Sequence, residues 1–345
     1  MTSDVETAAS ARPRVSKRAA LGLSLLTLSL FAMVGARLFV GSTGIGWPSG
    51  VNAGHIVVER SRMLLFAGVV GVALSVSGVA LQALLRNALA EPYILGLSTG
   101  AGLGIAVQGF CASQLAVYAG PNELGALVGA VLTLGVVFLA SRRGGVIDRL
   151  GLLLTGVVLS TINGALIMLL HHLTKPGAQR DNLMQWMMGL LPSRPLAWGD
   201  SAAIAVTVLG MGWLLLRGPA MDVATLDDDE AHGLGIHGPR LRLGLLVTAS
   251  ALAAAGVVIA GPIAFVGLIC PHLARLILGP AHRGVLLGSA LLGATLLITA
   301  NVSAELIAYL RPGTGVLPVG IFTALVGGPA FLWMLRPRLG TGIED

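Results

Sequence analysis

An all-α, polytopic membrane protein of about ten transmembrane helices is the fold class this sequence predicts, and three observations predict it. Only 11% of the 345 residues are charged and 55% are hydrophobic, with a mean hydropathy of +0.85; soluble domains carry roughly a quarter charged residues. Apolar windows of about 20 residues, enough to cross a hydrocarbon core of roughly 30 Å, recur from end to end and leave no room for a sizeable soluble domain. Segments such as Leu64 to Leu85 are apolar on every face, whereas barrel strands alternate in polarity over about ten residues. A barrel is therefore excluded.

Taken in order, the first 18 residues form a polar tail containing Arg12, Arg14, Lys17 and Arg18. The apolar run after them has no clear small-residue cleavage site, so it reads as a signal anchor retained as the first span. Spans are predicted near 19–40, 64–85, 93–110, 123–141, 150–173, 200–216, 242–260, 263–278, 285–303 and 317–335. This divides the chain into a tail at 1–18, a membrane domain at 19–335 and a second tail at 336–345. The segments near 93–110 and 263–278 are short and interrupted by glycine or proline, which leaves each open to a re-entrant reading. Losing one would move the C-terminus outside, and the Arg336 and Arg338 pair argues against that. With the N-terminus inside, Arg37, Arg60, Arg62, Lys175, Arg180, Arg194 and Arg311 fall on the external side. The other 15 of the 22 Lys and Arg fall on the cytoplasmic side, as the positive-inside tendency requires.

Several function classes are disfavoured by what the spans lack. Cys111 and Cys270 are the only cysteines, too few for a disulfide framework or a CxxC metal site. The net charge of +6 comes from arginines scattered between apolar spans, with no basic stripe for nucleic acid. A secondary carrier coupled to protons or sodium usually places titratable groups within spans, at roughly 2.5–3.5 kcal/mol each. Here the central thirds hold almost none; Asn163, Gln82 and Gln108 are polar but do not titrate. His171 and His172 are adjacent, so they do not share one helix face for a metal. No G-x-S-x-G or H-E-x-x-H marks an enzyme, and Cys270, His272 and Arg275 in "CPHLAR" read as a helix end.

Small residues are concentrated in two neighbouring spans. Gly96, Ser98, Thr99, Gly100, Ala101, Gly102 and Gly104 offer a surface on which backbones can approach, and "GVALSVSGVALQ" (Gly71 to Gln82) repeats the pattern upstream. The two spans are expected to form a close hairpin around the cytoplasmic turn from Arg86 and Asn87 to Pro92. Two readings stay open for Gly71, Ser75, Gly78, Gln82, Ser98, Thr99 and Gly100: tight packing, or helices beside a translocation path that slide during transport.

"SGVALQALLRNALAEPYILGLSTGAGLG" resembles the signature of the iron-chelate and vitamin B12 family of ABC importer permeases. "LLLTGVVLSTI", "QWMMG", "GPIAFVGLICPHLARLILGPAHR" and "LPVGIFTALVGGPAFLWML" resemble further blocks of that family in the right order. The resemblance implies a type II ABC importer permease in the bacterial cytoplasmic (inner) membrane, carrying a bulky iron chelate such as a siderophore, haem or cobalamin. It also implies three kinds of partner: ABC ATPase subunits, an extracytoplasmic substrate-binding protein and a second permease subunit, identical or not. Membrane lipid surrounds the assembly.

No cofactor is expected on this chain. A phosphate-binding loop needs a lysine after glycine, and Lys17 and Lys175 follow Ser16 and Thr174, so ATP and Mg are expected at the partner ATPase. The resemblance assigns coupling to the polar stretch 221–239, with Leu226, Asp227, Asp228, Asp229, Glu230, Ala231, Leu234, Gly235 and Ile236 facing the ATPase. Acidic residues there suit the positive end of a helix dipole, although Asp227 stands where the family usually has glycine. External docking is assigned to Arg60, Arg62 and Arg311. The family's Arg-x-Pro-Arg before the second span becomes Arg60, Arg62 and Met63 at its three fixed positions, and its Ala-Asp-x-x-Ala-Arg becomes "ANVSAE", with Asn301 for the acid and Ala304 for the basic residue. Altered docking, or a heterodimer whose other half carries the missing arginines, is the expectation.

Overall fold

The computed structural model describes residues 17–42, 44–115, 122–143, 146–174, 183–184, 186–223, 238–313 and 315–339. Among them are ten α-helices, in the order of the ten predicted spans: α1 (Lys17–Phe39), α2 (Ala53–Leu85), α3 (Leu97–Leu115), α4 (Asn122–Ala140), α5 (Arg149–Leu173), α6 (Trp198–Val223), α7 (Gly238–Ala260), α8 (Val266–Leu278), α9 (His282–Leu310) and α10 (Val319–Leu339). Two antiparallel two-residue pairs, unpredicted, close the ends of helices: β1 (Val40–Gly41) with β2 (Gly44–Ile45), and β3 (Arg142–Arg143) with β4 (Val146–Ile147).

Composition decides which helices lie inside the bundle. In α2 and α7, rich in Gly, Ala and Ser, 72% of the apolar stretch is buried, and in α9 61%; in α1, α4, α5 and α6 the share is 28% or less. The outer helices present Leu28, Phe31, Leu132, Leu139, Leu154 and Leu209 outward, as lipid-facing surfaces require. Seven helices are long and apolar enough to cross a bilayer by themselves. Of the other three, α8 has 13 residues, about 20 Å at 1.5 Å per residue, and follows a non-helical stretch at 261–264. The helix α3 is diluted by Gly, Ser, Thr and Gln, and α10 has only Val319–Trp333 as its apolar part.

Three boundaries differ from expectation because polar residues end an apolar run without ending a helix. The helix α2 begins at Ala53, 11 residues before its predicted start, and carries Glu59, Arg60 and Arg62 inside its first turns. Similarly α6 continues to Val223 through Pro219, and α9 reaches Leu310. The expected hairpin of α2 and α3 is corrected. After α2 the chain makes a turn and a 3-10 segment (Pro92–Leu95), which sends α3 against α4 and α5 while α2 packs against α7, α8 and α9. Each small-residue face has found a different partner.

Local caps fix the helix ends. Asp148 accepts from the N–H groups of Leu150 (3.2 Å) and Gly151 (3.1 Å) at the start of α5, satisfying donors that a helix leaves open. At the end of α2, Arg86 adopts a left-handed conformation (φ 48°), and the N–H of Asn87 returns to the Gln82 carbonyl at 3.2 Å, closing the last turn.

Candidate functional site

The turn after α2 is where several predicted site residues meet other elements. Pro271 lies inside α8 and has no N–H, so the carbonyl of Gly267, one turn earlier, loses its helical donor. Gln82 supplies the replacement: its Nε2 donates to that carbonyl at 3.2 Å and to the Ala90 carbonyl at 3.4 Å. Gly78 permits the approach, because a Cβ there would overlap the Gly267 oxygen and lie 2.6 Å from its carbon. An unsatisfied carbonyl in the membrane interior costs several kcal/mol. Gln82 and Gly78 thus act as a matched pair for a proline-broken helix. The same junction is held from the turn by Glu91, whose carboxylate accepts the N–H of Phe265, a left-handed residue (φ 69°) at the start of α8.

Gly71 and Ser75, also on α2, sit one interface away, against α9. A Cβ on Gly71 would lie 2.5 Å from the Gly293 carbonyl carbon, and one on Gly293 would lie 2.5 Å from the Ser75 hydroxyl. Thr99 and Gly100 belong to a third contact, among α3, α4 and α5, and Ser98 is buried next to them in the chain. There Asn163 Nδ2 donates to Thr99 Oγ1 (3.4 Å) and Thr133 Oγ1 (3.3 Å), and a Cβ on Gly100 would meet Thr133 Cβ at 2.6 Å. These seven residues are buried or half-buried against other helices of their own chain, and close packing accounts for each contact. The structure does not gather them into one site.

Leu226 to Ile236 of the expected coupling segment lie outside the described residues. Its flank is described: at the end of α6, Asp222 Oδ1 accepts the His282 backbone N–H at 2.8 Å and meets His282 Nδ1 at 2.6 Å. The end of α6 is therefore clasped to the first residue of α9.

Of the three docking arginines, Arg60 is not presented outward. It is 5% exposed, and its guanidinium donates to the carbonyls of Leu38 (2.6 Å), Gly46 (3.0 Å) and Gly44 (3.1 Å), so it locks the β1–β2 loop onto α2. Arg62 is half-buried, and Arg311, the residue after α9, is exposed.

Sequence reasoning missed Arg37, which stands at the end of α1 and is 1% exposed. Its Nε donates to Asn301 Oδ1 at 2.5 Å, its Nη1 to the Val40 carbonyl at 2.8 Å, and its Nη2 lies 2.9 Å from both Glu305 Oε1 and Met63 Sδ. Glu305 Oε2 in turn accepts the Ser42 N–H at 2.7 Å. Met63 and Asn301, two departures from the family pattern, meet at this guanidinium, and the third, Ala304, is the neighbour of Glu305. One signal was present: Arg37 and Glu305 are opposite charges at the same predicted end of two spans, and charges at membrane depth are normally paired. A second unforeseen group joins Arg194 to Asp200 and Glu123, each at 2.5 Å, and ties α4 to the start of α6. Among the described residues no group of three or more His, Cys, Asp or Glu is placed to hold a metal ion.

Comparison with known proteins bears on all of this. Residues 20–337 match the model of the FecCD transport family. The chain belongs to that family. FecCD relatives include the hemin transport system permease protein HmuU of Yersinia pestis, 36% identical over 94% of this chain and 98% of its own length. The vitamin B12 import system permease protein BtuC of Vibrio cholerae is 38% identical over 91% and 92%. The Fe(3+)-citrate import system permease protein YfmD of Bacillus subtilis is 32% identical over 95% and 97%. A solved metal-chelate type ABC transporter in an inward-facing conformation superposes with a TM-score of 0.76 at 28% identity, covering 92% of this chain and 99% of its own. The FecCD family thus accounts for both the full helix order and the sequence blocks.

Proposed function

We propose that this chain is the membrane-spanning permease of a binding-protein-dependent ABC importer whose cargo is a bulky iron chelate, haem or corrinoid. The observation that carries the reading is likeness over nearly the whole chain to permeases named for hemin, vitamin B12 and ferric citrate, at 32–38% identity. ATP is hydrolysed on a separate subunit, and two permease chains enclose the path. Both termini, the Arg86 turn and the start of α9 lie on the cytoplasmic side, supported by the distribution of Lys and Arg. The stretch 226–236 meets the ATPase, and the Asp222–His282 clasp passes its movement into α6 and α9. The small residues of α2 and α3 govern how these helices shift against their neighbours rather than what the cargo touches.

Affinity purification of the chain from native membranes tests this reading. A Walker-motif ATPase is expected to co-purify, and the pair in liposomes with its binding protein is expected to accumulate cargo only with ATP. Cargo uptake by the chain alone without ATP would replace the proposal with a secondary carrier.

Docking is proposed to rest on Arg62 and Arg311, with Arg60 confined to holding the β1–β2 loop. Charge complementarity mainly sets encounter and register, so Arg62→Glu and Arg311→Glu are expected to slow binding-protein association and flatten its salt dependence. Binding kinetics at low and high salt check this; unchanged rates in both variants would remove these residues from the docking surface.

A further inference from the structure

We propose that the β1–β2 loop, with Phe39 before it and Trp47 after it, is an interfacial anchor whose two rings sit among the glycerol and ester groups of the external leaflet. The choice of leaflet rests on the orientation proposed above; the depth does not.

The argument begins with the direction of the rings. Phe39 is 49% and Trp47 60% exposed, and they pack on each other with centroids 6.0 Å apart at an angle of 60°. Of the seven helices long enough to cross a bilayer, α1 is the least enclosed, with 11% of its apolar stretch buried. It presents Leu21, Leu25, Leu28 and Phe31 outward. At 3.6 residues per turn Phe39 stands about five turns beyond Leu21 and about three beyond Leu28, so it continues the same stripe. That stripe faces lipid, and Trp47, packed against Phe39, is carried on the same side.

Depth follows from length. From Leu21 to Phe39 the helix rises about 27 Å at 1.5 Å per residue, against a hydrocarbon core of roughly 30 Å. With Lys17 and Arg18 at one boundary, the aromatic pair falls at the other. An indole is an apolar body with a single N–H, the combination that collects where hydrocarbon meets headgroups.

A loop that meets lipid needs its backbone polar groups served from within the protein. Here the carbonyls of Leu38, Gly44 and Gly46 accept from Arg60, and that of Val40 accepts from Arg37. The Ser42 N–H donates to Glu305, and the Gly46 N–H to the Phe39 carbonyl at 2.7 Å. Exposed Ile45 adds an apolar side chain between the two rings in sequence. Two buried arginines thus make a rigid loop whose outward side chains are apolar and whose named backbone groups are already bonded. A surface for the binding protein would turn its rings toward the aqueous side, off the stripe that Phe39 continues.

The test is tryptophan quenching in nanodiscs holding the permease with its ATPase, with phosphatidylcholine brominated near either the glycerol or the methyl end of its acyl chains. The difference between the unmodified protein and Trp47→Phe isolates Trp47 among the five tryptophans. That component is expected to be quenched more by the shallow bromines than by the deep ones, and only weakly by iodide in the water. Strong quenching by iodide with none by either bromine overturns the proposal, as does stronger quenching by the deep bromines. Shielding from iodide that arises only when the binding protein is added also overturns it, and makes the rings a docking surface. If Trp47→Phe does not assemble, photo-crosslinking decides on the unmodified protein: phosphatidylcholine with a diazirine near the glycerol is expected to label residues 39–47. Labelling of other lipid-facing helix ends without residues 39–47 overturns the proposal. Brominated lipid occupies both leaflets of a nanodisc, so an inverted topology leaves the depth reading unchanged. Absence of an ATPase partner counts against the importer reading alone.

Discussion

Gly78→Ala is expected to abolish correct assembly of the bundle, whereas Gly68→Ala, in the same helix, is expected to be tolerated. A methyl group at position 78 would overlap the Gly267 carbonyl oxygen, and backbone cannot rotate away as a side chain does. Separating α2 from α8 would also pull Gln82 from the carbonyl that Pro271 leaves without a donor. The overpacking alone costs about 1–3 kcal/mol, and an orphaned carbonyl in the membrane adds several more. At Gly68 no heavy atom lies within 4 Å of the added carbon, so the better helix propensity of alanine contributes about 0.5–1 kcal/mol in favour. Detergent-solubilised yield by fluorescence-detected gel filtration, followed by thermal melting, compares the two. Equal behaviour of both variants would mean that the α2–α8 contact is not a close one.

The second large effect is expected at Arg37. Replacing it with methionine leaves Glu305 buried with only the Ser42 N–H, and breaking a buried pair from one side costs about 3–5 kcal/mol. Two further variants separate charge from shape. Arg37→Met with Glu305→Gln is expected to recover most of the loss, because no unpaired charge remains. Arg37→Met with Met63→Arg is expected to recover stability as well, since Met63 Sδ lies 2.9 Å from Arg37 Nη2 and a guanidinium carried by α2 would reach the same place. Melting temperatures of the single and paired variants form the cycle; strictly additive losses would show that these groups do not interact.

The same residues explain what could be read from the chain and what could not. Ten helices were legible because apolar length is a local property. So was the FecCD relation, carried by blocks such as "EPYILG" and "CPHLAR". Partners across the bundle were not, because small residues on α2 and α3 state that something comes close without stating what. Gly78 reads the same whether it meets α3 or α8, and only the proline at 271 singles out the carbonyl that Gln82 must reach. Arg60 was placed outside the second span because Glu59, Arg60 and Arg62 end its apolar run; the helix continues through them, and the guanidinium turns back onto a loop. Asn301 and Met63 looked like losses one position at a time, yet together they surround a charge supplied from α1.

The length of α2 has a mechanical consequence. Its 33 residues make a rod of about 50 Å at 1.5 Å per residue, longer than the roughly 30 Å hydrocarbon core. Arg62 lies in the third turn of this rod, and its far end leads into Arg86 and the turn toward α3. A tilt imposed at either end is delivered to the other as a displacement of the same rod, with no relay of side chains between them. In such a device timing is set by the close contacts along its flank, at Gly71 and Gly78, which act as bearings.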